Sequence, residues 1–472
     1  MVSRRKFLSL PCAAALTPTA LLAETSSKNI SEAQSGFTVL QATTGTVQLA
    51  PKEYPATNVW AFDGTVPGTP IRLKQGERVQ RVFENKLKQP SAVHWHGIRI
   101  DNKMDGVPGL TQKVVPPGGR FVYDFVVPDA GTYWYHTHHR SWEQLARGMY
   151  GPLIVEEENP PQVDRDELLI IDDWRLDNKA QVVENFGMMH DKSHAGRTGS
   201  WATVNSMGMD RAALSVQQNE RLRLRLINVA NATVFNLVLE GMQGKVVALD
   251  GQPLAVPEAL GMLTMAPAQR IDLIVDVVTE QGKTAMLNIM SRGQKIPLMR
   301  FAVEKQRRDK PLETPEALPA NPLPVLNSTS LATAPVTELR LEGGAMGRMR
   351  SATYKGREMG IRELVDEGMV WAMNGVAGMT EQPLFTAKRE QTQRLKMINE
   401  TGWPHGMHLH GHHFREVLAD GKLGPWRDTL LLQPRETREV ALVADNPGDW
   451  LLHCHMMEHQ MAGMKTWYRV LG

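Results

Sequence analysis

The sequence predicts an all-β protein made of several sandwich or barrel domains. Short β-prone runs recur along most of the chain, and Gly and Pro pairs separate them, as at Pro67-Gly68 and Pro116–Gly119. No long helical periodicity interrupts residues 36–158. With 472 residues, the chain is long enough for about two to four domains that each bury a core.

Composition narrows the possible functions. The formal net charge is +2, and Arg4, Arg5 and Lys6 contribute three positive charges ahead of the first acid, Glu24. The rest of the chain is close to neutral, so nothing indicates a nucleic acid as a partner. No run of about eighteen apolar residues follows the N-terminus, and we therefore expect no transmembrane segment.

Residues 1–23 have the pattern of an export signal. Residues Ser3–Leu8 (SRRKFL) resemble the twin-arginine motif, and a modestly apolar stretch of small residues follows to about Ala23. A basic tail on a cytosolic protein is the alternative. We expect export by the twin-arginine machinery into a bacterial periplasm or out of the cell. Cys12 would leave with this segment, so Cys454 has no disulfide partner and metal binding explains it better.

Residues 24–158 form the first predicted domain. Its clearest expected strands are Ile71–Leu73, Val79–Phe83, Phe121–Val127 and Gly151–Glu156. The domain carries two H-x-H motifs, His94-Trp95-His96-Gly97 and Tyr135-His136-Thr137-His138. Because side chains alternate along a strand, both imidazoles of each motif would project from one face, suitably placed for adjacent metal ions.

Residues 159–305 form the second predicted domain. Its clearest expected strands are Glu167–Asp172, Arg221–Asn228, Asn236–Glu240, Lys245–Leu249 and Arg270–Val277. A polar, methionine-bearing stretch at 185–213 interrupts them, and the domain has neither an H-x-H pair nor a cysteine. We interpret it as a spacer between the outer domains that helps to shape a substrate surface.

The remaining chain is predicted to be a linker and a third domain. Residues 306–338 are charged and then Pro-rich, which is typical of a semi-rigid linker. Residues 339–472 form the third domain, in which the amphipathic segment Lys355–Glu367 is expected to be helical. This domain ends with two further motif stretches, 405–411 (HGMHLHG) and 453–464 (HCHMMEHQMAGM).

The stretch around Cys454 is the most specific signal in the chain. Thiolate, imidazole and a weak thioether are the ligands of a blue-copper electron-transfer site. If Leu451–His455 is extended, His453 and His455 share one face and Cys454 points to the other. One strand would then contact two metal centres, and a short covalent route would join them.

A count of ligands supports two kinds of centre. The chain has 15 histidines, and four H-x-H pairs account for eight of them: 94/96, 136/138, 408/410 and 453/455. Eight imidazoles in like-sided pairs suit a multinuclear cluster better than a zinc site, which needs only about four ligands. His405, Cys454, His459 and Met464 remain for one further site. A single H-x-H pair is often an ordinary surface or core pair, but four pairs with the Cys-x4-His-x4-Met spacing argue against coincidence. Five histidines lack such a pattern and are expected beside the centres or on the surface: His139, His190, His194, His412 and His413.

With these motifs, the chain resembles three-domain bacterial multicopper oxidases of the laccase and cuprous oxidase group. The motifs HWHG, HTH, HxxHLH and HCHxxxHxxxxM are intact, and the likeness covers essentially the whole chain after residue 23. The resemblance implies three cupredoxin-like Greek-key β-sandwich domains and four copper ions, one type 1, one type 2 and two type 3. It also implies four one-electron oxidations of a reducing substrate coupled to reduction of dioxygen to water.

The resemblance further assigns ligands by motif position. The type 1 ion would be bound by His405, Cys454, His459 and Met464, and the type 2 ion by His94 and His408. One type 3 ion would be bound by His96, His136 and His455, and the other by His138, His410 and His453. Electrons would enter through an exposed edge of His405 or His459 and leave through Cys454. The family places an acid beside the cluster where Asp105 stands, which makes Asp105 the candidate for proton delivery, and a turn aspartate before Gly106 is the alternative.

The chain departs from the family pattern near the type 1 ligands. Gln460 stands where several bacterial relatives carry an acid after the second histidine, so a carboxylate relay is absent or replaced there. Thr401 stands where an acid often precedes the first histidine by four residues, with Glu400 as a neighbouring substitute. Pro404 precedes His405 rather than following it, which can alter the loop at the electron entry point.

The sequence leaves two classes of reducing substrate possible. Phenols and aromatic amines are the broad substrates of the family, and Cu(I) oxidation for periplasmic copper tolerance is the alternative. Thioethers prefer Cu(I), and methionines fall in two groups, Met188, Met189, Met207 and Met209, and Met346, Met349, Met359, Met369, Met373 and Met379. Methionine is equally a common core filler. A copper-binding or division-associated relative without catalysis is the non-enzyme alternative, and it is disfavoured because such relatives lose ligands.

Overall fold

The computed structural model describes residues 36–472, and β-strands dominate it. The first unit consists of β1 (Thr38–Val47), β2 (Thr57–Phe62), β3 (Ile71–Lys74), β4 (Arg78–Asn85), β5 (Val93–His96), β6 (Arg120–Val126), β7 (Gly131–Thr137) and β8 (Tyr150–Glu156). They form two four-stranded sheets, with strand orders β2-β1-β4-β6 and β3-β8-β7-β5. The register of β5 and β7 places His94 opposite His136, so pairing alone brings the first two H-x-H motifs together.

The middle unit has two larger sheets. Its strands are β9 (Arg165–Trp174), β10 (Trp201–Val204), β11 (Ala213–Gln218), β12 (Arg221–Asn228), β13 (Phe235–Glu240), β14 (Met242–Leu249), β15 (Gln252–Ala259), β16 (Leu263–Met265), β17 (Arg270–Val277), β18 (Thr284–Ser291) and β19 (Gln294–Gln306). The strand orders are β10-β9-β12-β17-β14-β15 and β11-β19-β18-β13-β16. A separate apolar core lies in this unit, built from residues such as Leu224, Leu237 and Leu273.

The last unit carries both C-terminal motifs. Its strands are β20 (Val336–Gly343), β21 (Ser351–Tyr354), β22 (Arg357–Gly360), β23 (Trp371–Met373), β24 (Thr386–Ala387), β25 (Thr392–Asn399), β26 (His405–Leu409), β27 (Phe414–Val417), β28 (Leu423–Arg427), β29 (Thr429–Leu432), β30 (Thr437–Val443), β31 (Gly448–Cys454) and β32 (Lys465–Val470). Apart from the β21-β22 hairpin, they form sheets of order β23-β20-β25-β30-β27-β28 and β24-β32-β31-β26-β29. In the latter, β26 pairs with β31 so that Met407 faces Cys454 and His408 faces His453.

Helices are short and lie in connections. They are α1 (Ser141–Gln144), α2 (Met189–Ser193), α3 (Ser328–Thr333), α4 (Ile361–Asp366) and α5 (Met457–Met461), with a 3-10 turn at Asn102–Met104. Within residues 36–472, no helix is both long and apolar enough to cross a membrane. In the stretch predicted to be a linker, 306–338, β19 ends at Gln306 and β20 begins at Val336, and α3 is the one helix or strand between them.

The helix predicted at Lys355–Glu367 is wrong for the first half of the segment and confirmed for the second. Lys355 and Gly356 have φ of 52° and 73°, which closes a tight turn between β21 and β22, and only α4 is helical. The Glu363 carboxylate accepts from Gly360 N–H at 2.9 Å and starts α4 there. The turn conformation therefore overrides the amphipathic pattern of the first half of the segment.

Packing brings the first and last units into direct contact. Their buried apolar residues form one continuous cluster, which includes Trp95 and Tyr123 from the first unit and Trp450 and Tyr468 from the last. The all-β, cupredoxin-like prediction is confirmed. The domain limits at 158, 305 and 338 stay predictions, and the export signal predicted for residues 1–23 lies outside the described residues.

Candidate metal centre

Three side chains of the last unit converge around Cys454. The Nδ1 atoms of His405 and His459 are 3.0 Å apart, and Cys454 Sγ lies 3.6 Å from the first and 3.7 Å from the second. All three residues are fully buried. Met464 is also fully buried, and its backbone carbonyl accepts from Cys454 N–H at 3.1 Å. The four predicted residues are thus brought to one place.

Hydrogen bonds at the far side of each ring select the tautomer that binds metal. His459 Nε2 donates to the backbone carbonyl of His194 at 2.7 Å. His405 Nε2 lies 2.9 Å from Thr401 Oγ1, whose own proton is directed to Asn399 Oδ1 at 2.7 Å. Both rings therefore carry the proton on Nε2, and both Nδ1 lone pairs face Cys454 Sγ, as a shared metal ion requires.

Eight imidazoles form a second group between the first and last units. They are His94, His96, His136, His138, His408, His410, His453 and His455, and each is at least nine-tenths buried. Nε2 of His410 lies 3.1 Å from Nε2 of His453, and Nε2 of His455 lies 3.4 Å from Nε2 of His136. The four H-x-H motifs therefore meet, as the sequence predicts.

The unpartnered ring atoms fit bound metal ions. Backbone carbonyls accept from Nδ1 of four rings at 2.7–2.9 Å, in the pairs His94 with Asp105, His136 with Thr137, His408 with Asp428, and His453 with Cys454. Those bonds leave Nε2 of each ring with a free lone pair, and Nε2 of His94 and His408 has no hydrogen-bond partner. Buried polar atoms without a partner are rare unless they bind something. The donor set is one that copper accepts.

Comparisons with known proteins agree with this geometry. Three family models described as "Multicopper oxidase" match residues 43–160, 127–300 and 353–471. The chain belongs to the multicopper oxidase family. The multicopper oxidase MmcO of Mycobacterium tuberculosis is 30% identical over an alignment of 454 positions, which covers 87% of this chain and 83% of that protein.

Two further relatives extend the comparison. The crystal structure of Lac15 from a marine microbial metagenome is 41% identical, with a TM-score of 0.75, and the match covers 92% of this chain and 100% of that one. Copper resistance protein A of Pseudomonas syringae pv. tomato is 25% identical over an alignment of 550 positions, which covers 87% of this chain and 89% of that protein. Multicopper oxidases couple oxidation of a reducing substrate to reduction of dioxygen to water, and copper is their cofactor.

The grouping of the eight cluster histidines resembles the predicted division among ions. His138, His410 and His453 offer ring nitrogens within 4.8 Å of one another, as do His94, His96 and His136. His94 also lies within that distance of His408 and His410. The assignment of each ligand to a type 2 or type 3 ion stays a prediction, as does the number of four ions.

Burial sets the protonation states of the ligands. It lowers the pKa of His453 to about 3 and that of His459 to about 4. It also lowers the pKa of His405 and of six further cluster histidines well below the usual value; those six are His96, His136, His138, His408, His410 and His455. Burial raises the pKa of the Cys454 thiol to about 12. Neutral imidazoles are ready to bind metal, whereas the thiol loses its proton only when a metal displaces it.

A hydrogen bond and the backbone both link Cys454 to a histidine of the cluster. Cys454 lies between His453 and His455, and the carbonyl oxygen of Cys454 accepts from His453 Nδ1 at 2.9 Å. Cys454 faces His405 and His459, whereas its two neighbours face the cluster. The alternation expected for Leu451–His455 is confirmed.

The prediction that His405 or His459 has an exposed edge is wrong. His405 and His459 are both fully buried: the residue after α2, His194, covers His459, and the Trp371 ring packs against both histidines. The Ser193 carbonyl accepts from Ala345 N–H at 2.7 Å, and Trp371 Nε1 donates to the Lys192 carbonyl at 2.6 Å, so α2 is fastened to the last unit. Sequence reasoning missed this cover, because α2 belongs to the middle unit, which has no metal motif.

Within residues 36–472, two carboxylates contact the cluster, and the sequence predicted one of them. Asp105 lies 3.0 Å from His410 Nδ1, as its predicted place beside the cluster requires. Asp428 Oδ1 lies 3.2 Å from His96 Nε2, and no spacing or motif recognised in the sequence singled it out. Of the five other histidines, His412 and His413 are buried beside the cluster strands, His190 and His194 lie at α2, and His139 borders a cavity.

That cavity, of about 590 Å³, reaches a cluster ligand. Its lining includes His138, His139 and Arg140 from the first unit and Gln460 and Lys465 from the last. His138 is 9% exposed, more than any other cluster histidine. Gln460 therefore borders the cavity that approaches the cluster and presents a neutral amide there.

Proposed function

We propose that this multicopper oxidase oxidises Cu(I), after twin-arginine export to the periplasm, with four copper ions bound as the sequence motifs assign them. The observation that carries this proposal is the surface over Cys454. His405 and His459 are closed to direct contact with a ring substrate, and the cover itself carries soft donors. Bound copper would supply the one-electron redox chemistry and the reduction of dioxygen.

The soft donors are exposed methionines and histidines on the cover. Met188 and Met189 at α2 are 46% and 37% exposed, and the His190 side chain is 73% exposed. The rings of His190 and His194 stack with centroids 4.2 Å apart. Thioether and imidazole are ligands that bind Cu(I). A cation bound by these side chains would lie next to His459, because the backbone carbonyl of His194, the residue that follows α2, accepts a hydrogen bond from the His459 ring.

Met346 adds a thioether from the last unit. It is 73% exposed and has a φ of 64°, and the N–H of its neighbour Ala345 donates to the Ser193 carbonyl of α2 at 2.7 Å. A Cβ placed on Gly402 would lie 3.6 Å from Met346 Cε, so this side chain packs beside the loop that carries Thr401. Exposure of large apolar side chains at one place is unusual for a core filler and indicates binding.

The reaction balances with these components. Four Cu(I) ions would each lose one electron, and one dioxygen would take up four electrons and four protons to form two waters. Electrons would reach the buried centre along the His194 carbonyl and the His459 ring, which are 2.7 Å apart. Asp105, buried beside His410, is the residue we propose to hold and deliver a proton.

Phenols and aromatic amines are the second candidate substrates. The ring of Trp403 packs edge-to-face on His194 with centroids 5.2 Å apart, and Trp403 Nε1 donates to the Ala345 carbonyl at 3.0 Å. These two rings form an aromatic surface at the same electron route, on which a phenol can stack.

Oxygen uptake with two substrates tests the proposal. Copper-loaded protein is given a chelated Cu(I) salt or a methoxyphenol, with and without added Cu(II). We expect fast turnover of Cu(I), and phenol turnover that depends on added copper. Copper-independent phenol oxidation with slow Cu(I) turnover would show instead that the protein is a laccase.

Variants localise the Cu(I) site. Combined Met188→Leu, Met189→Leu and Met346→Leu should raise KM for Cu(I) about tenfold, the ratio that corresponds to a loss of about 1.4 kcal/mol of binding free energy. The matched control is Met262→Leu, which changes a methionine that is 63% exposed outside the cover. Equal losses with Cu(I) and with phenol would indicate that the three methionines only pack.

A further inference from the structure

Arg270 joins the ligand-free middle unit to the metal cluster. It begins β17 and is fully buried. Nε donates to the Thr132 carbonyl at 3.1 Å in the first unit, and Nη1 donates to the Ala268 carbonyl at 3.1 Å. Nη2 donates to the Asp250 carbonyl at 2.9 Å. The two remaining N–H groups go to the last unit.

Asp428 receives those two donors. Arg270 Nη1 lies 2.9 Å from Asp428 Oδ1, and Nη2 lies 2.5 Å from Oδ2. All five N–H groups of Arg270 are therefore used, in the two-pronged geometry that fixes a carboxylate in one orientation. An arginine that makes contacts with all three units at once holds its partner more rigidly than a surface pair does.

Asp428 in turn orients two cluster histidines. Its Oδ1 accepts from His96 Nε2 at 3.2 Å and from Thr429 Oγ1 at 2.8 Å, and its backbone carbonyl accepts from His408 Nδ1 at 2.9 Å. His96 Nδ1 and His408 Nε2 are left without a hydrogen-bond partner, each with a lone pair for a metal ion. His96 thus offers Nδ1, whereas His94, His136, His408 and His453 offer Nε2.

Gly97 shows how closely the pair fits against the motif. This glycine follows His96 and has a φ of 86°. A Cβ at this position would lie 2.3 Å from Arg270 Nη2 and 2.6 Å from Asp428 Oδ2. A side chain cannot occupy that space, so the glycine of the HWHG motif makes room for the Arg270–Asp428 pair.

We propose that Arg270 is a positioning residue for the copper site formed by the eight cluster histidines. It holds Asp428 in place, so that the Asp428 carboxylate directs His96 Nδ1 toward copper and the Asp428 backbone carbonyl directs His408 Nε2 toward copper. Asp428 lies within 4.8 Å of ring nitrogens of His96 and His408 and so has the spacing of a ligand itself. The Arg270 and Thr429 bonds occupy its oxygens, which makes it an orienting group instead.

The inference rests on the proposed assignment of His96 and His408 as copper ligands. The test compares wild type, Arg270→Lys and Asp428→Asn, each loaded with copper. A lysine ammonium cannot reproduce the fork of five donors, and an asparagine cannot accept both Arg270 bonds and the His96 bond.

We expect the copper content of both variants to fall, the near-ultraviolet band of the type 3 pair to weaken, and the type 2 electron paramagnetic resonance signal to change its hyperfine splitting. The blue band of the Cys454 centre should stay unchanged. Cluster copper should bind about 10–100-fold more weakly, as is typical when a partner of a ligand is lost.

Arg223→Lys is the matched control for structural damage. Arg223 is a buried arginine of the same unit that binds Asp272 and Glu157 and contacts no predicted ligand. It should lower Tm and leave both cluster signals unchanged. If Arg270→Lys does not fold, Asp428→Asn carries the test. If Arg270→Lys or Asp428→Asn keeps full cluster copper and wild-type signals, the inference is overturned. If the wild-type protein itself binds no copper at the cluster, the ligand assignment on which the inference rests is overturned instead.

Discussion

Asp105 of the first unit holds the ring of His410 in the last unit. Its carboxylate oxygens lie 3.0 and 3.1 Å from His410 Nδ1, and its backbone carbonyl accepts from His94 Nδ1 at 2.7 Å. The residue is fully buried. One residue thereby contacts predicted ligands of two different copper ions, across the contact between the two units.

Asp105→Asn should separate electron entry from oxygen reduction. The amide keeps the shape but cannot hold and release a proton, so reoxidation by dioxygen should slow about 100-fold while the blue centre stays reducible. Stopped-flow absorbance of the blue band measures both steps. Asp124→Asn, a surface change in the same unit, is the control. Unchanged reoxidation at full copper content would limit Asp105 to orienting His410.

Thr401→Val should raise the reduction potential of the blue centre. Thr401 Oγ1 accepts from His405 Nε2 at 2.9 Å, and an acceptor at that position makes the ring a stronger electron donor to copper. Valine has nearly the same shape and accepts nothing. A redox titration of the blue band gives the potential, with Thr380→Val as the control, since Thr380 bonds Thr466 instead. An unchanged potential would show that the Thr401 bond serves only packing.

The copper-free protein should lose stability as pH falls below about 6.5. Burial lowers the pKa of His453 to about 3 and that of His459 to about 4, while the same rings in the unfolded chain titrate near 6.5. Between these values the unfolded chain binds more protons than the folded one, so stability present above 6.5 is lost on acidification.

Scanning calorimetry of the copper-free protein at pH 7 and pH 5 measures the effect. We expect Tm to fall by about 5 °C or more, because several buried rings contribute together. His453→Gln should make the fall smaller, and the exposed His190→Gln should not change it. The same Tm at both pH values would contradict the buried, neutral state of these rings.

The sequence carries enough information to predict the ligands but not what holds them. Each H-x-H motif and the Cys454 stretch are local, and the two-residue period of a strand alone decides which side chains share a face. The H-x-H motifs then meet two by two, because β5 pairs with β7 and β26 pairs with β31. Strand pairing thus converts local motifs into one cluster without any further signal.

Distant partners have no such pattern. Asp428 lies 332 residues after His96, and Arg270 comes from a unit without a metal motif. Neither residue stands at a period or a spacing that ties it to the cluster. The cover formed by α2 is hidden for the same reason, since His194 acts on His459 through a backbone carbonyl that any residue would provide.

Glu458 predicts a second pH dependence, of opposite sign. It is buried beside His459; its Oε2 accepts from Arg197 N–H at 3.0 Å and its Oε1 from Asn231 Nδ2 at 3.2 Å. Burial raises the pKa of this carboxyl to about 7, whereas in the unfolded chain it titrates near 4.3. The folded chain therefore binds more protons between these values, and the stability from Glu458 is lost as pH rises through about 7.

Glu458→Gln should remove this dependence, because an uncharged amide resembles the protonated acid. The Tm of the copper-loaded wild type, relative to that of Glu458→Gln, should fall as pH rises from about 4.5 to 7 and then stay constant. Glu304→Gln, on an exposed residue of β19, should show no such trend. A difference in Tm that is independent of pH would mean that Glu458 is ionised throughout, and that its two hydrogen bonds, rather than its burial, set its charge.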